Sequence, residues 1–81
     1  MSITAQFSIY PLRALELGSV IDAALIAARE CGVVAEPGLM STVLEGTEDA
    51  VFAALRAAFH SASERGDTVL VVTVSNACKP D

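Results

Sequence analysis

The spacing of apolar residues alternates along this chain between the period of a strand and the period of a helix, and this alternation restricts the fold more than any other feature. Residues 4–10 alternate strictly between two sides, as expected of a half-buried strand. Ala5, Phe7 and Ile9 share one side, and hydroxyl or amide side chains share the other. Pro11 follows, so the first predicted strand ends there.

A helical spacing follows over residues 19–31. Apolar residues recur there every three or four positions, as on one face of a helix. The members of this stripe are Val20, Ile21, Ala24, Leu25, Ala27, Ala28 and Cys31. Ser19 suits the N-cap of this predicted helix, and Gly32 suits its C-terminal stop.

Two short extended segments come next, at residues 33–36 and 40–45. Pro37 and Gly38 lie between them and are a turn signal. The two segments therefore predict a β-hairpin, and Gly46 is expected to break its second strand.

The second predicted helix begins after Thr47, whose hydroxyl suits an N-cap. Glu48 and Asp49 add negative charge near the positive end of the helix dipole. Gly66 is expected to end the helix. The predicted core stripe of this helix consists of Phe52, Leu55, Phe59 and Ala62, flanked by Val51 and Ala58.

Residues 68–75 form the last predicted strand, which is apolar on both faces. The two sets are Leu70, Val72 and Val74 on one face and Val69, Val71 and Thr73 on the other. A strand with two dry faces is expected in the centre of a sheet or at a contact between subunits.

The elements follow the order β-α-β-β-α-β. Two right-handed crossovers then place both helices on one face of a four-stranded antiparallel sheet. The sequence thus predicts an α+β fold of the ferredoxin-like type. A single domain over residues 1–81 is expected, because a chain this short cannot supply two cores.

The sheet face without helices is expected to be partly apolar. Its predicted members are Gln6, Ser8 and Tyr10 beside Val69, Val71 and Thr73. Hydrophobic residues make up 53% of the chain, which is high for so small a domain. A homo-oligomer, either a dimer or a tetramer, is therefore expected to cover this face.

Charge and cysteine usage exclude several partners. Ten carboxylates against five Lys and Arg give a net charge of -5, whereas nucleic-acid binding needs clustered basic residues. Uninterrupted apolar runs are far shorter than the ~20 residues that span a membrane. Cys31 and Cys78 are expected to be reduced thiols, and the start of the chain does not resemble a signal peptide, so a cytoplasmic protein is expected.

No catalytic or metal-binding arrangement is visible in the sequence. His60 is the single histidine and is expected on the solvent side of its helix, without a nucleophile or carboxylate network around it. Two isolated thiols are too few to hold a metal ion. We therefore expect neither an enzyme nor a metal or organic cofactor.

Two segments favour a small-molecule pocket. Residues 7–12 read Phe-Ser-Ile-Tyr-Pro-Leu, and residues 42–46 read Thr-Val-Leu-Glu-Gly. Ser8, Thr42 and Glu45 would form a small polar cluster in apolar surroundings, which is the usual composition of such a pocket. An ordinary strand with a proline or glycine at its end gives the same patterns.

In this order and at this separation, the two segments resemble the small thiamine-binding proteins of the YkoF-like family, and the resemblance covers nearly the whole chain. It implies a cytoplasmic, ferredoxin-like homo-oligomer that binds thiamine or its hydroxymethylpyrimidine part without transforming it.

Five residues are the candidates for such a ligand site: Ser8, Tyr10, Met40, Thr42 and Glu45. The carboxylate would bond the pyrimidine edge or balance the thiazolium charge. The Ser and Thr hydroxyls would supply further hydrogen bonds, the Tyr ring would stack, and the Met would fill apolar space. Because Thr42 and Glu45 are three residues apart, a regular strand directs them to opposite faces, and a shared site requires a bend near Leu44 or a strand that ends before Glu45.

Two other functions remain open. A ligand-free assembly module would use the dry sheet face for oligomerisation only, and replacing Glu45 would then change nothing but stability. A small enzyme of the same fold, such as an acyl phosphate hydrolase, would need an arginine in a phosphate-binding loop near the N-terminus. Arg13 is the candidate there, without a glycine-rich loop around it.

Overall fold

The structure is a computed structural model, and it describes residues 1–12 and 17–77. Its elements are β1 (Ser2–Pro11), α1 (Leu17–Arg29), β2 (Val34–Pro37), β3 (Thr42–Thr47), α2 (Glu48–Ser63) and β4 (Thr68–Ser75). The predicted element order is confirmed.

The four strands form one antiparallel sheet in the order β2-β3-β1-β4. In β1, Ile3, Ala5 and Phe7 are buried and face the helices. Both helices contribute buried residues to the same core as these strand residues. The chain therefore has the predicted ferredoxin-like fold, with a helical layer on one sheet face.

Small residues let the two layers approach closely. Leu44 of β3 and Val51 of α2 are fully buried at the centre of the core. Around them lie buried alanines from every element except β3 and β4: Ala5, Ala24, Ala28, Ala35, Ala54, Ala58 and Ala62. Arg29 at the end of α1 donates to the Ala35 carbonyl of β2 at 2.9 Å, which joins the helical layer to that edge of the sheet.

The core stripe of α2 differs from the prediction. Phe52 and Phe59 are 51% and 42% exposed, whereas the buried residues are Val51, Ala54, Leu55, Ala58 and Ala62. The alanine-rich face packs against α1 and the sheet because the narrow space there admits small side chains. The two phenylalanines lie at the margin of this face.

Helix capping is confirmed at one helix and wrong at the other. Thr47 adopts an extended conformation and its hydroxyl accepts the Ala50 N–H at 3.2 Å, as expected of an N-cap. Helix α1 begins at Leu17, so Ser19 lies within its first turn and is not the N-cap. Gly32 has a φ of 85° after the end of α1, which agrees with its predicted role as a stop.

The prediction that Gly46 breaks β3 is wrong, because the strand continues through Gly46 to Thr47. Gly46 pairs with Ile3 of β1. A Cβ atom at this position would lie 3.3 Å from Cγ1 of Val33, so the glycine accommodates a close side chain instead of ending the ladder.

Strand β4 has the predicted bounds but lies at an edge of the sheet, not at its centre. Val69 and Val71 face away from the helices, opposite Tyr10 and Ser8 of β1. These two valines are 46% and 54% exposed. We call the sheet face that carries them the open face; its composition on β1 and β4 agrees with the prediction.

Within residues 1–12 and 17–77, neither helix is both long enough and apolar enough to cross a lipid bilayer.

Candidate functional site

A cavity of about 200 Å³ lies where β1 extends beyond β3. Its walls come from three parts of the chain: the second half of β1, one side of α1, and the turn between β2 and β3. The lining residues are Phe7, Ser8, Ile9, Tyr10, Ile21, Leu25, Pro37, Gly38, Leu39, Met40, Ser41 and Thr42.

The cavity arises from unequal strand lengths. The last pair of the β1–β3 ladder is Phe7 with Thr42, whereas the β1–β4 ladder continues to Pro11 with Thr68. Residues 8–11 therefore have a strand neighbour on one side only. The space on the other side is bordered by the turn at residues 38–41, and α1 contributes the wall above it.

This turn is tight and depends on a glycine. The Gly38 N–H donates to the Ser41 carbonyl at 2.8 Å. A Cβ atom on Gly38 would lie only 2.9 Å from that same oxygen, a distance that would force the backbone to move. A glycine at this position thus keeps the turn close to β1.

Ser8 connects the turn to β1. Its hydroxyl donates to the Met40 carbonyl at 3.1 Å. The side chains of Leu39 and Met40 are almost fully exposed, although both residues line the cavity. The rim of the cavity is therefore apolar and faces solvent.

Thr42 and Tyr10 complete the set of hydroxyls at the cavity. Thr42 is half-buried at the start of β3, and Tyr10 is exposed near the end of β1. With Ser8 and Ser41 they provide four hydroxyl groups among otherwise apolar walls. Of the described residues that line the cavity, none is a carboxylate, a basic residue, a histidine or a cysteine. Such a lining suits a small, uncharged molecule with a few polar groups.

The structure brings four of the five candidate residues together and separates the fifth. Ser8, Tyr10, Met40 and Thr42 line the cavity. Glu45 lies on the open face, where it pairs with Thr4 of β1 and Val34 of β2 and is exposed. Because β3 continues regularly through Leu44 to Thr47, the bend that a shared site requires is absent from this strand.

Sequence reasoning missed the contributions of α1 and of the β1 residues between the candidates. Ile21 and Leu25 line the cavity from α1. Both belong to the predicted apolar stripe of that helix, but their spacing does not distinguish a core contact from a cavity wall. Ile21 is more than one-third exposed, and this partial burial is visible only in the structure.

The remaining chemical groups lie elsewhere. His60 is exposed on α2, with Nε2 3.4 Å from Oε1 of Glu64. Cys31 is a free thiol that contacts the Ala27 carbonyl. The described part of the chain holds no cluster of three or more side chains suited to a metal ion. Arg13 and Cys78 lie outside the described residues.

Comparison with known proteins identifies the family. The model of the YKOF-related family matches residues 2–81. The chain belongs to this family. The resemblance seen in the two sequence motifs is thus confirmed, while no curated protein matches the chain.

Solved structures of similar proteins share the fold of this YKOF-related chain. A Bacillus cereus domain of unknown function (DUF77) has a TM-score of 0.80 and 26% identity, with 91% of this chain and 74% of that chain covered. A hypothetical protein of Methanocaldococcus jannascii has a TM-score of 0.86 and 22% identity over 99% of this chain and 84% of that chain.

A third similar structure carries a functional description. It is a protein of Thermotoga maritima assigned provisionally to thiamine biosynthesis or salvage. Its TM-score is 0.78 and its identity 19%, with 93% of this chain and 83% of that chain covered. At this identity the likeness establishes the fold.

Proposed function

We propose that this chain binds thiamine, or its hydroxymethylpyrimidine half, in the cavity between β1, α1 and the β2–β3 turn. The observation that carries the proposal is the meeting of Ser8 and Tyr10 with Met40 and Thr42 around one cavity. These pairs are about 30 residues apart in the sequence. Membership of the YKOF-related family and the thiamine-related description of the Thermotoga maritima protein support the same ligand.

The size and lining of the cavity favour the pyrimidine half as the buried part. A volume of about 200 Å³ is smaller than the several hundred Å³ of pockets that enclose drug-sized ligands, so it suits one ring better than two. The pyrimidine ring is neutral near pH 7, and the described residues of the cavity lining carry no charged side chain to offset a cation. The thiazolium would then remain at the rim, where the exposed Tyr10 ring offers a cation–π contact.

Binding without transformation is part of the proposal. General acid–base or nucleophilic chemistry requires a titratable group within hydrogen-bond reach of the reacting atom. The cavity offers hydroxyl groups without a base beside them among the described residues. A cytoplasmic location is also proposed, in keeping with the free thiol of Cys31.

The open face supports a homo-oligomer, either a dimer or a tetramer. It exposes Val69 and Val71 beside Tyr10, and neither α1 nor α2 covers it. An exposed apolar surface of this kind is typical of an interface. The same observation favours a second candidate function, a ligand-free assembly module.

Isothermal titration calorimetry separates the two functions. Thiamine and hydroxymethylpyrimidine should both bind to the purified protein, with similar Kd values, because the pyrimidine supplies the buried contacts. The isolated thiazole alcohol, titrated as the matched control, should bind much more weakly. If neither thiamine nor hydroxymethylpyrimidine gives a binding heat or raises the Tm at millimolar concentration, a ligand-free assembly module becomes the better explanation of the function.

A further inference from the structure

The backbone hydrogen bonds at the two ends of β1 show toward which neighbouring strand each residue of β1 directs its N–H and C=O groups. The Leu12 N–H donates to the Asp67 carbonyl at 2.8 Å, on the β4 side. The Met1 carbonyl accepts from the Glu48 N–H at 3.0 Å, on the β3 side. Successive residues of an antiparallel strand direct their N–H and C=O groups to alternate sides. Even-numbered residues of β1 therefore bond to β4, and odd-numbered residues bond to β3.

Ile9 is the first odd-numbered residue of β1, after Phe7, that has no residue of β3 opposite it. Its N–H and C=O face the β3 side, but β3 begins at Thr42, opposite Phe7. On this side Ile9 faces the cavity, which is also lined by Met40 of the turn, and the Met40 carbonyl accepts from the Ser8 hydroxyl. Within residues 1–12 and 17–77, no backbone hydrogen bond continues the β1–β3 ladder at Ile9.

The unpaired groups of Ile9 belong to the cavity. Ile9 lines it and is half-buried, with its side chain packed against the core. The next odd-numbered residue, Pro11, has no N–H to offer. Ile9 thus presents one donor and one acceptor, side by side on a rigid strand, toward the cavity. Partly buried backbone groups without partners cost free energy that a complementary ligand recovers.

We infer that the ligand takes the place of the missing β3 residue and pairs with the backbone N–H and C=O of Ile9. This inference rests on the proposed function and deepens it by naming the class of ligand: a flat, neutral heteroaromatic ring with an adjacent hydrogen-bond donor and acceptor on one edge. An aminopyrimidine has this edge, because its amino group donates and the neighbouring ring nitrogen accepts. The ring faces would contact apolar side chains such as Leu25.

Nuclear magnetic resonance on the ¹⁵N-labelled protein tests the inference directly. On addition of hydroxymethylpyrimidine, the Ile9 amide proton should shift downfield, and its exchange with solvent should slow by about tenfold or more. The Gln6 amide, which bonds to β4, serves as the internal control and should change little. The same ring without its amino group should bind about tenfold more weakly, since the Ile9 carbonyl then lacks its donor.

Two substitutions of Ile9 provide an independent readout. Ile9→Pro removes the N–H that faces the cavity and leaves the β1–β4 bonds in place, so hydroxymethylpyrimidine affinity should fall about tenfold or more. Ile9→Val also shortens the side chain but retains the N–H, so its affinity should fall by much less than that of Ile9→Pro. Circular dichroism verifies that both variants fold. If Ile9→Pro does not fold, the Ile9 amide shift and exchange rate in the unmodified protein test the inference.

The outcomes separate this inference from the proposed function. If hydroxymethylpyrimidine binds but the Ile9 amide neither shifts nor slows its exchange, the inference is wrong and the proposed function stands. The same holds if removing the amino group leaves the affinity unchanged. If the pyrimidine does not bind at all, the proposed function fails and the inference fails with it.

Discussion

At the scale of residues, the separation of Thr42 from Glu45 is the most informative feature of the site. The two residues are on opposite faces of β3, with Thr42 at the cavity and Glu45 on the open face. Their contributions to ligand binding should therefore differ, although both belong to the same short motif.

A pair of nearly isosteric substitutions tests this difference. Thr42→Val removes a hydroxyl from the cavity and should weaken thiamine binding by up to about tenfold, the value of one lost hydrogen bond. Glu45→Gln is the matched control and should leave the Kd unchanged, because Glu45 does not line the cavity and pairs with Thr4, four residues before Ser8 along β1. Titration calorimetry of both variants measures the effect. A large loss of affinity in Glu45→Gln with none in Thr42→Val would place the ligand on the open face.

The sequence predicts burial well in β1, where apolar and polar residues alternate, and less well in the helix α2. Ala5 and Phe7 are buried as the period of β1 predicts. In α2, the hydrophobicity of Phe52 and Phe59 favours them as core residues, yet the space between the layers admits alanines such as Ala58. The width of that space is set by the packing of α1, α2 and the sheet together, so the local pattern of one helix does not reveal it.

At the scale of elements, the start of α2 depends on one side-chain hydrogen bond, from the Ala50 N–H to the Thr47 hydroxyl. Thr47→Ala removes this acceptor and should lower the free energy of unfolding by about 1 kcal/mol. Thr47→Ser keeps the hydroxyl and should recover most of that loss. Urea unfolding followed by circular dichroism measures both. Equal destabilisation by the two substitutions would mean that the hydroxyl does not stabilise the helix.

The bounds of the elements were predictable to different degrees. The bounds of β4 follow from the sequence because Gly66 lies just before the strand and residues 68–75 are a continuous valine-rich run. Strand β3 extends further than expected because β1 supplies a ladder partner for Gly46, and such a partner is a tertiary feature. The cavity arises from the difference in length between the two ladders on either side of β1. Predicting it from the sequence would therefore require the strand register as well as the motifs.

At the scale of the whole molecule, the open face should govern assembly. Light scattering coupled to size-exclusion chromatography should give a mass that is a multiple of the 8.4 kDa chain. Val71→Lys places a charge on the open face and should shift the protein toward smaller species. Ala53→Lys, on the exposed side of α2, is the matched control and should leave the mass unchanged. A monomeric unmodified protein, or equal effects of the two substitutions, would contradict an interface on the open face.

A crystal structure of the protein soaked with thiamine shows whether the ligand lies in the cavity. We expect electron density for the pyrimidine ring between β1 and the β2–β3 turn, with its amino edge toward the backbone of Ile9 and its thiazolium outside the cavity near Tyr10. Density for thiamine on the open face beside Glu45, with the cavity empty, would show that the cavity is not the thiamine site.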